Sequence, residues 1–167
     1  MPRRRPETLE SIMRRTYSVI AWIIAAGVVV QASSIAFGVA GMVVYVQDGG
    51  VVDKALVEAR QQAFVGELGF MVHAIVGGGV IPLAAIALLI VSFFVKARGV
   101  RMWAAITFGL VALQATLGFA IHGTPYAGLV HGANALAVLS AAVYTALRMR
   151  RLQPAEALER TSDGITV

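Results

Sequence analysis

Four long apolar runs constrain this chain more than any other feature: Tyr17–Val46, Gly66–Val95, Met102–Ile121 and Pro125–Leu147. A segment of about twenty apolar residues crosses the hydrocarbon of a bilayer as a helix. Amides left unpaired there are costly, so each run is predicted to be helical. The expected fold is all-α, an integral membrane four-helix bundle over residues 17–147. A basic N-terminus, residues 1–16, precedes it and a polar tail, residues 148–167, follows. Composition agrees, since 58% of residues are hydrophobic and 14% charged, a balance that places the chain in the membrane class. With no cysteine in the sequence, disulfides, thiolate metal centres and covalent haem attachment are excluded.

Charge sets the expected orientation. Of the 14 Lys and Arg residues, only Lys54 and Arg60 lie between the first and second runs. The others flank the opposite helix ends, in the N-terminal segment, the Lys96–Arg101 turn and the tail after Leu147. The positive-inside rule then puts both termini in the cytoplasm, in a multi-pass bacterial inner-membrane topology. The net charge of +5 flanks apolar runs instead of forming a separate basic domain. It therefore points to anionic lipid and not to nucleic acid. The first run has a shorter apolar core ending near Gln31-Ala32-Ser33, as a signal peptide would. Its apolar character continues beyond that point, so an uncleaved helix is expected.

Local signals mark the ends. Asp48-Gly49-Gly50 should stop the first helix. Asp53 should cap an amphipathic lead-in, with Leu56, Ala59 and Ala63 on one face, that continues into the second helix. Pro82 should bend that second helix. Thr124 is a natural N-cap, with Pro125 at the first helical position of the fourth helix. A short helix is possible over residues 155–160.

Three histidines carry the candidate chemistry. His73 and His131 lie at similar depth in the outer halves of the second and fourth runs. Two neutral imidazoles at one depth on two apolar helices suit the axial positions of haem b. One turn either side stand Gly69 and Gly77 for His73, and Ala127 and Ala135 for His131. These small residues share a face with the histidines and would leave room for a porphyrin. Phe70 is placed to lie against such a ring, and Asn134 to bond a propionate or another helix. The plain alternative is that each histidine bonds across helices and the small residues serve packing.

His122 sits at the mouth of the third helix. A propionate partner, a proton relay and a solvated turn residue are all open for it. Glu67 reads as an interfacial acid, with a quinol-side proton acceptor as the other possibility. Gln114 and Thr116 read as helix-packing residues, with a place facing the cofactor cavity as the other possibility for Gln114. The inner half holds no histidine, so a single haem is the most this chain would bind by itself.

Three stretches carry a resemblance: HAIVGGG from His73, LQATLGFAIHG at 113–123 and LVHGANALAVLSA around His131. Over about Tyr17–Leu147 the chain resembles four-helix membrane cytochromes b and, more narrowly, one half of haem A synthase. It is also similar to small bacterial membrane proteins of the same layout. The resemblance implies haem b held by His73 and His131 near the outer face. The synthase has two four-helix halves, whereas this chain has one. The synthase also places a glutamate just before its first histidine, where Phe70, Met71 and Val72 stand here. Haem hydroxylation is therefore not implied.

Three functions follow as expectations. The first is a haem b cytochrome transferring electrons near the outer face, with a quinol or a periplasmic redox protein as partner. The second is a haem A synthase-like enzyme, restored to two halves as a homodimer. The third is a non-haem accessory subunit of a larger membrane complex. The orientation is directly testable: a reporter fused after Val167 should be active only in its cytoplasmic form, and periplasmic activity would overturn the topology.

Overall fold

The computed structural model describes residues 9–59 and 62–163, with side chains as far as Arg151. Arg3, Arg4, Arg5 and Arg60 lie outside the described residues. The fold is all-α. Helix α1 is Leu9–Gln47, α2 is Lys54–Ala59, α3 is Glu67–Ile75, α4 is Ile81–Ser92, α5 is Val100–Ala120 and α6 is Pro125–Asp163. A π-helical turn, Val76–Val80, joins α3 to α4. Four helices are long and apolar enough to cross a membrane: Leu9–Gln47, Glu67–Ser92, Val100–Ala120 and Pro125–Arg151. Large apolar side chains stand exposed along them, Leu83 at 68% and Leu129 at 77% among them. Such surface is costly in water and suits lipid or a partner helix.

The chain divides into two compact units. One is Ala26–Ile81; the other joins Met1–Ala25 to Pro82–Val167. In the larger unit, Tyr17, Ile24, Leu88, Val138 and Met149 are fully buried. The Tyr17 hydroxyl donates to the Val100 carbonyl at 3.0 Å, and the Ser18 hydroxyl to that of Ala146 at 3.4 Å. Trp103 and Tyr144 stack with centroids 4.2 Å apart. The smaller unit packs by close backbone approach. Gly66 and Gly69 face the carbonyls of Phe37 and Ser34, and Gly41 faces that of Val65. Any Cβ at these positions would enter the opposite backbone.

The punctuation of the sequence is largely realised. α1 ends where Asp48-Gly49-Gly50 required. Gly49 adopts φ +92°, its N–H donates to Val46 O at 3.1 Å, and the Gly50 N–H reaches Tyr45 O at 2.9 Å. This pair of bonds is the Schellman motif, which needs a left-handed residue after the last helical turn. Asp53 caps α2 through the Leu56 N–H at 2.8 Å. α6 begins at Pro125, and Thr124 accepts the Tyr126 N–H at 3.4 Å.

Three expectations are corrected. α1 begins at Leu9, well before Tyr17, because Glu10 and Arg14 pair at 2.8 Å across one turn and Arg14 is buried. The α2 lead-in does not run into α3. A turn intervenes, with Gly66 at φ +102°, and Ala63 is not on α2. α6 continues past Leu147 and through Pro154, where Ala155–Arg160 supply good helix formers. Beside Pro82, which was expected to bend this helix, the structure places π geometry one turn earlier, with the Ile81 N–H on Val76 O. Proline brings no N–H of its own, and a π turn is one way to absorb the lost register.

Overpacking a tight interface commonly costs about 1–3 kcal/mol. G41A should lose stability on that scale in detergent unfolding. G109A, whose Cβ meets nothing within 4 Å, should stay within about 0.5 kcal/mol of wild type. Equal loss in both would mean that the α1–α3 approach is not as described.

Candidate functional site: two glutamine–histidine helix pairs

Each unit holds one of the intramembrane histidines, and each histidine meets a glutamine on the preceding long helix. In the smaller unit, His73 Nδ1 lies 3.2 Å from the Gln31 carbonyl. The Gln31 side chain returns the contact, its Nε2 donating to the His73 carbonyl at 2.8 Å. α1 and α3 are thus joined by a reciprocal pair of bonds. In the larger unit, His131 Nδ1 lies 3.1 Å from the Gln114 carbonyl. Here Gln114 Oε1 accepts from Asn134 Nδ2 at 2.7 Å, and the same amide also donates to Leu110 O at 3.0 Å. α5 and α6 are joined in this way. Both histidines are half-buried, and Asn134 is buried.

A carbonyl can only accept. Nδ1 must therefore carry the proton in both rings, which leaves the lone pair of the neutral imidazole on Nε2. The same tautomer is imposed twice, by the same type of partner.

The small residues flanking His73 are used by α1. Gly69 lies against the Ser34 carbonyl, and a Cβ on Gly77 would fall 2.6 Å from Gln31 Oε1. The face bearing Gly69, His73 and Gly77 is therefore the α1-facing side of α3 and its π turn. Gly77 clears the glutamine side chain. Phe70 fills the space beside Gly38, within about 3 Å of where a Cβ would stand, and meets Phe64 edge-on at 6.4 Å. Tyr45 completes that aromatic row against Phe64 at 5.5 Å. Around His131, Ala127 is buried and Ala135 half-buried. The relief is supplied by Gly118, where a Cβ would stand 3.3 Å from His131 Cε1.

His122 is exposed at the end of α5, and its Nδ1 meets the Phe119 carbonyl of its own last turn at 3.1 Å. The structure does not bring it into either pair. Glu67 Oε2 accepts the Ala63 N–H at 2.6 Å, which fastens the entry to α3. Thr116 bonds back to Ala112 O within α5.

Gln31 and Gly118 were not singled out by the sequence reading, and Gln114 was read as a packing residue that could also face a cofactor cavity. A signal was present. Gln31-Ala32 in the first long helix and Gln114-Ala115 in the third each pair with a histidine in the helix that follows. The chain carries one device twice. No group of three or more His, Cys, Asp or Glu that could hold a metal ion occurs among the described residues. No protein-family description, curated protein or solved structure matches the chain. The likeness to haem A synthase therefore stands on the short motifs alone.

An interhelical hydrogen bond in a membrane contributes roughly 0.6 kcal/mol, seldom above about 1.7. Q31L removes the side-chain bond and keeps the backbone carbonyl. It should cost about 0.5–1.5 kcal/mol in detergent unfolding. An unchanged midpoint in Q31L would dismiss the reciprocal contact.

Proposed function

We propose that this multi-pass membrane protein serves as a non-haem accessory subunit of a larger membrane complex, its helices fastened in pairs by the Gln31–His73 and Gln114–His131 contacts. One observation carries the reading: each histidine has a cross-helix role inside its own unit. An intramembrane imidazole with such a role needs no ligand to explain it. The exposed apolar faces of the long helices are surfaces that neighbouring helices or lipid would cover. The test is size. Solubilised from membranes in mild detergent, the chain should migrate in an assembly well above its own mass. A chain that runs alone would contradict the accessory role.

A second reading has its own observation, the shared tautomer. We propose on that ground that His73 and His131 would be the residues that hold a haem b, through their Nε2 lone pairs. The donor set fits, being two neutral imidazoles whose Nδ1–H groups are fixed by carbonyls, the usual outer support of a ligating histidine. Bound haem would supply one-electron chemistry, to be exchanged with a quinol or a periplasmic redox protein. The protein's own part would be to orient both imidazoles through their Nδ1 contacts with the Gln31 and Gln114 carbonyls. No residue contact favours haem A synthase-like modification over simple binding.

An absorption spectrum of purified protein separates the two readings. The accessory reading expects no Soret band. The haem reading expects a low-spin, six-coordinate spectrum that H73A and H131A each abolish and H122A retains. Loss of low-spin haem in H122A, with retention in H131A, would overturn the ligand assignment.

A further inference from the structure

The turn between α4 and α5 is held from beneath. Arg148 Nη2 donates to the Arg98 carbonyl at 2.6 Å, and Arg14 Nη2 to that of Lys96 at 3.4 Å. These two arginines are spent on backbone carbonyls, and Arg14 also on Glu10. Three further cations, Lys96 and Arg98 in the turn and Arg101 at the start of α5, are exposed. Among the described residues no carboxylate forms an ion pair with any of the three. Lys96 and Arg101 flank a shallow groove of about 390 Å³, whose other walls include Val95, Gly99 and Met102.

Apolar surface adjoins the same cations. The Arg101 guanidinium lies 5.3 Å from the centroid of the Phe93 ring. Phe93 is 58% exposed and Met102 is 56% exposed. Phe93 directly follows the membrane-length helix that ends at Ser92, and Met102 lies in the first turn of the one that begins at Val100, so both stand where hydrocarbon gives way to headgroups. A pair of unneutralised cations over a groove, with exposed apolar side chains beside it, matches a phospholipid in charge and in polarity.

We propose that this groove binds the phosphate headgroup of an anionic phospholipid, with Lys96 and Arg101 on the phosphate and an acyl chain along Phe93 and Met102. The turn is rigid for this role, because its carbonyls are tied to α1 and α6. Gly99 is required there: it has φ +77°, and a Cβ would stand 2.7 Å from the Arg148 guanidinium. The inference is independent of any haem. It goes beyond diffuse attraction of basic residues to a charged leaflet, because it names two cations and one groove.

Native mass spectrometry of the full chain with phosphatidylglycerol and phosphatidylcholine tests it. Wild type should retain one phosphatidylglycerol in preference to phosphatidylcholine. A surface cation contributes about fivefold to association with anionic lipid, so K96Q with R101Q should weaken retention roughly 25-fold. R151Q, an exposed cation outside the groove, should retain the lipid as wild type does. The charge-conserving pair K96R with R101K should also retain it. Equal retention in the neutralised pair overturns the site. Equal loss in R151Q would mean diffuse charge, and loss in the charge-conserving pair would mean that charge is not what is read. Displacement by inorganic phosphate as effective as that by phosphatidylglycerol would assign the groove to a free anion and overturn the lipid proposal.

Discussion

The structure depends on one constraint: an amide or imidazole side chain inside an apolar helix needs a partner, and here it finds one on a neighbouring helix. Gln31, His73, Gln114, His131 and Asn134 all meet this demand by bonding to another helix, as the Tyr17 and Ser18 hydroxyls also do. Hydrocarbon offers no competing donor or acceptor, so the pairing of such groups selects a register even though each bond is small. The gain is roughly 0.6 kcal/mol for a typical contact and seldom above about 1.7. What the contacts supply is alignment, and the bulk of the stability comes from packing such as the glycine-lined α1–α3 approach.

Tautomer is where alignment becomes chemistry. A backbone carbonyl cannot be protonated or rotated away, so it is a firmer constraint than a side-chain partner. Both histidines are given this constraint, and both then carry the lone pair on Nε2. As a packing device this duplication is economical. As a ligand device it would present two like donors. Both proposed functions share the first step, the Gln–His pair, and part only over what Nε2 meets.

Much of the fold was legible because hydrophobic length and turn chemistry act locally. Four apolar runs became four membrane-length helices. Gly49, Asp53, Thr124 and Pro125 acted where their backbone chemistry said they would. The failures were non-local. The early start of α1 needed the Glu10–Arg14 pair and a buried site for Arg14. The break before α3 was hidden because Gln62–Gly66 lacks proline and has a single glycine at its end. Gly69 and Gly77 were read as room for a porphyrin, and they border α1 instead, since nothing in the order of residues says which neighbour a small face will meet. Gln31 was overlooked because one glutamine in an apolar run looks incidental until its histidine is found.

The central claim is that His73 and His131 are both held as the Nδ1–H tautomer by the carbonyls of Gln31 and Gln114. Nitrogen-15 NMR of histidine-labelled protein in bilayers reads this directly, because protonated and lone-pair-bearing ring nitrogens resonate far apart. For both rings the account predicts a protonated Nδ1 and a pyridine-type or ligated Nε2, assigned by comparison with the H73F and H131F variants. A ring with its proton on Nε2 at either position would contradict it.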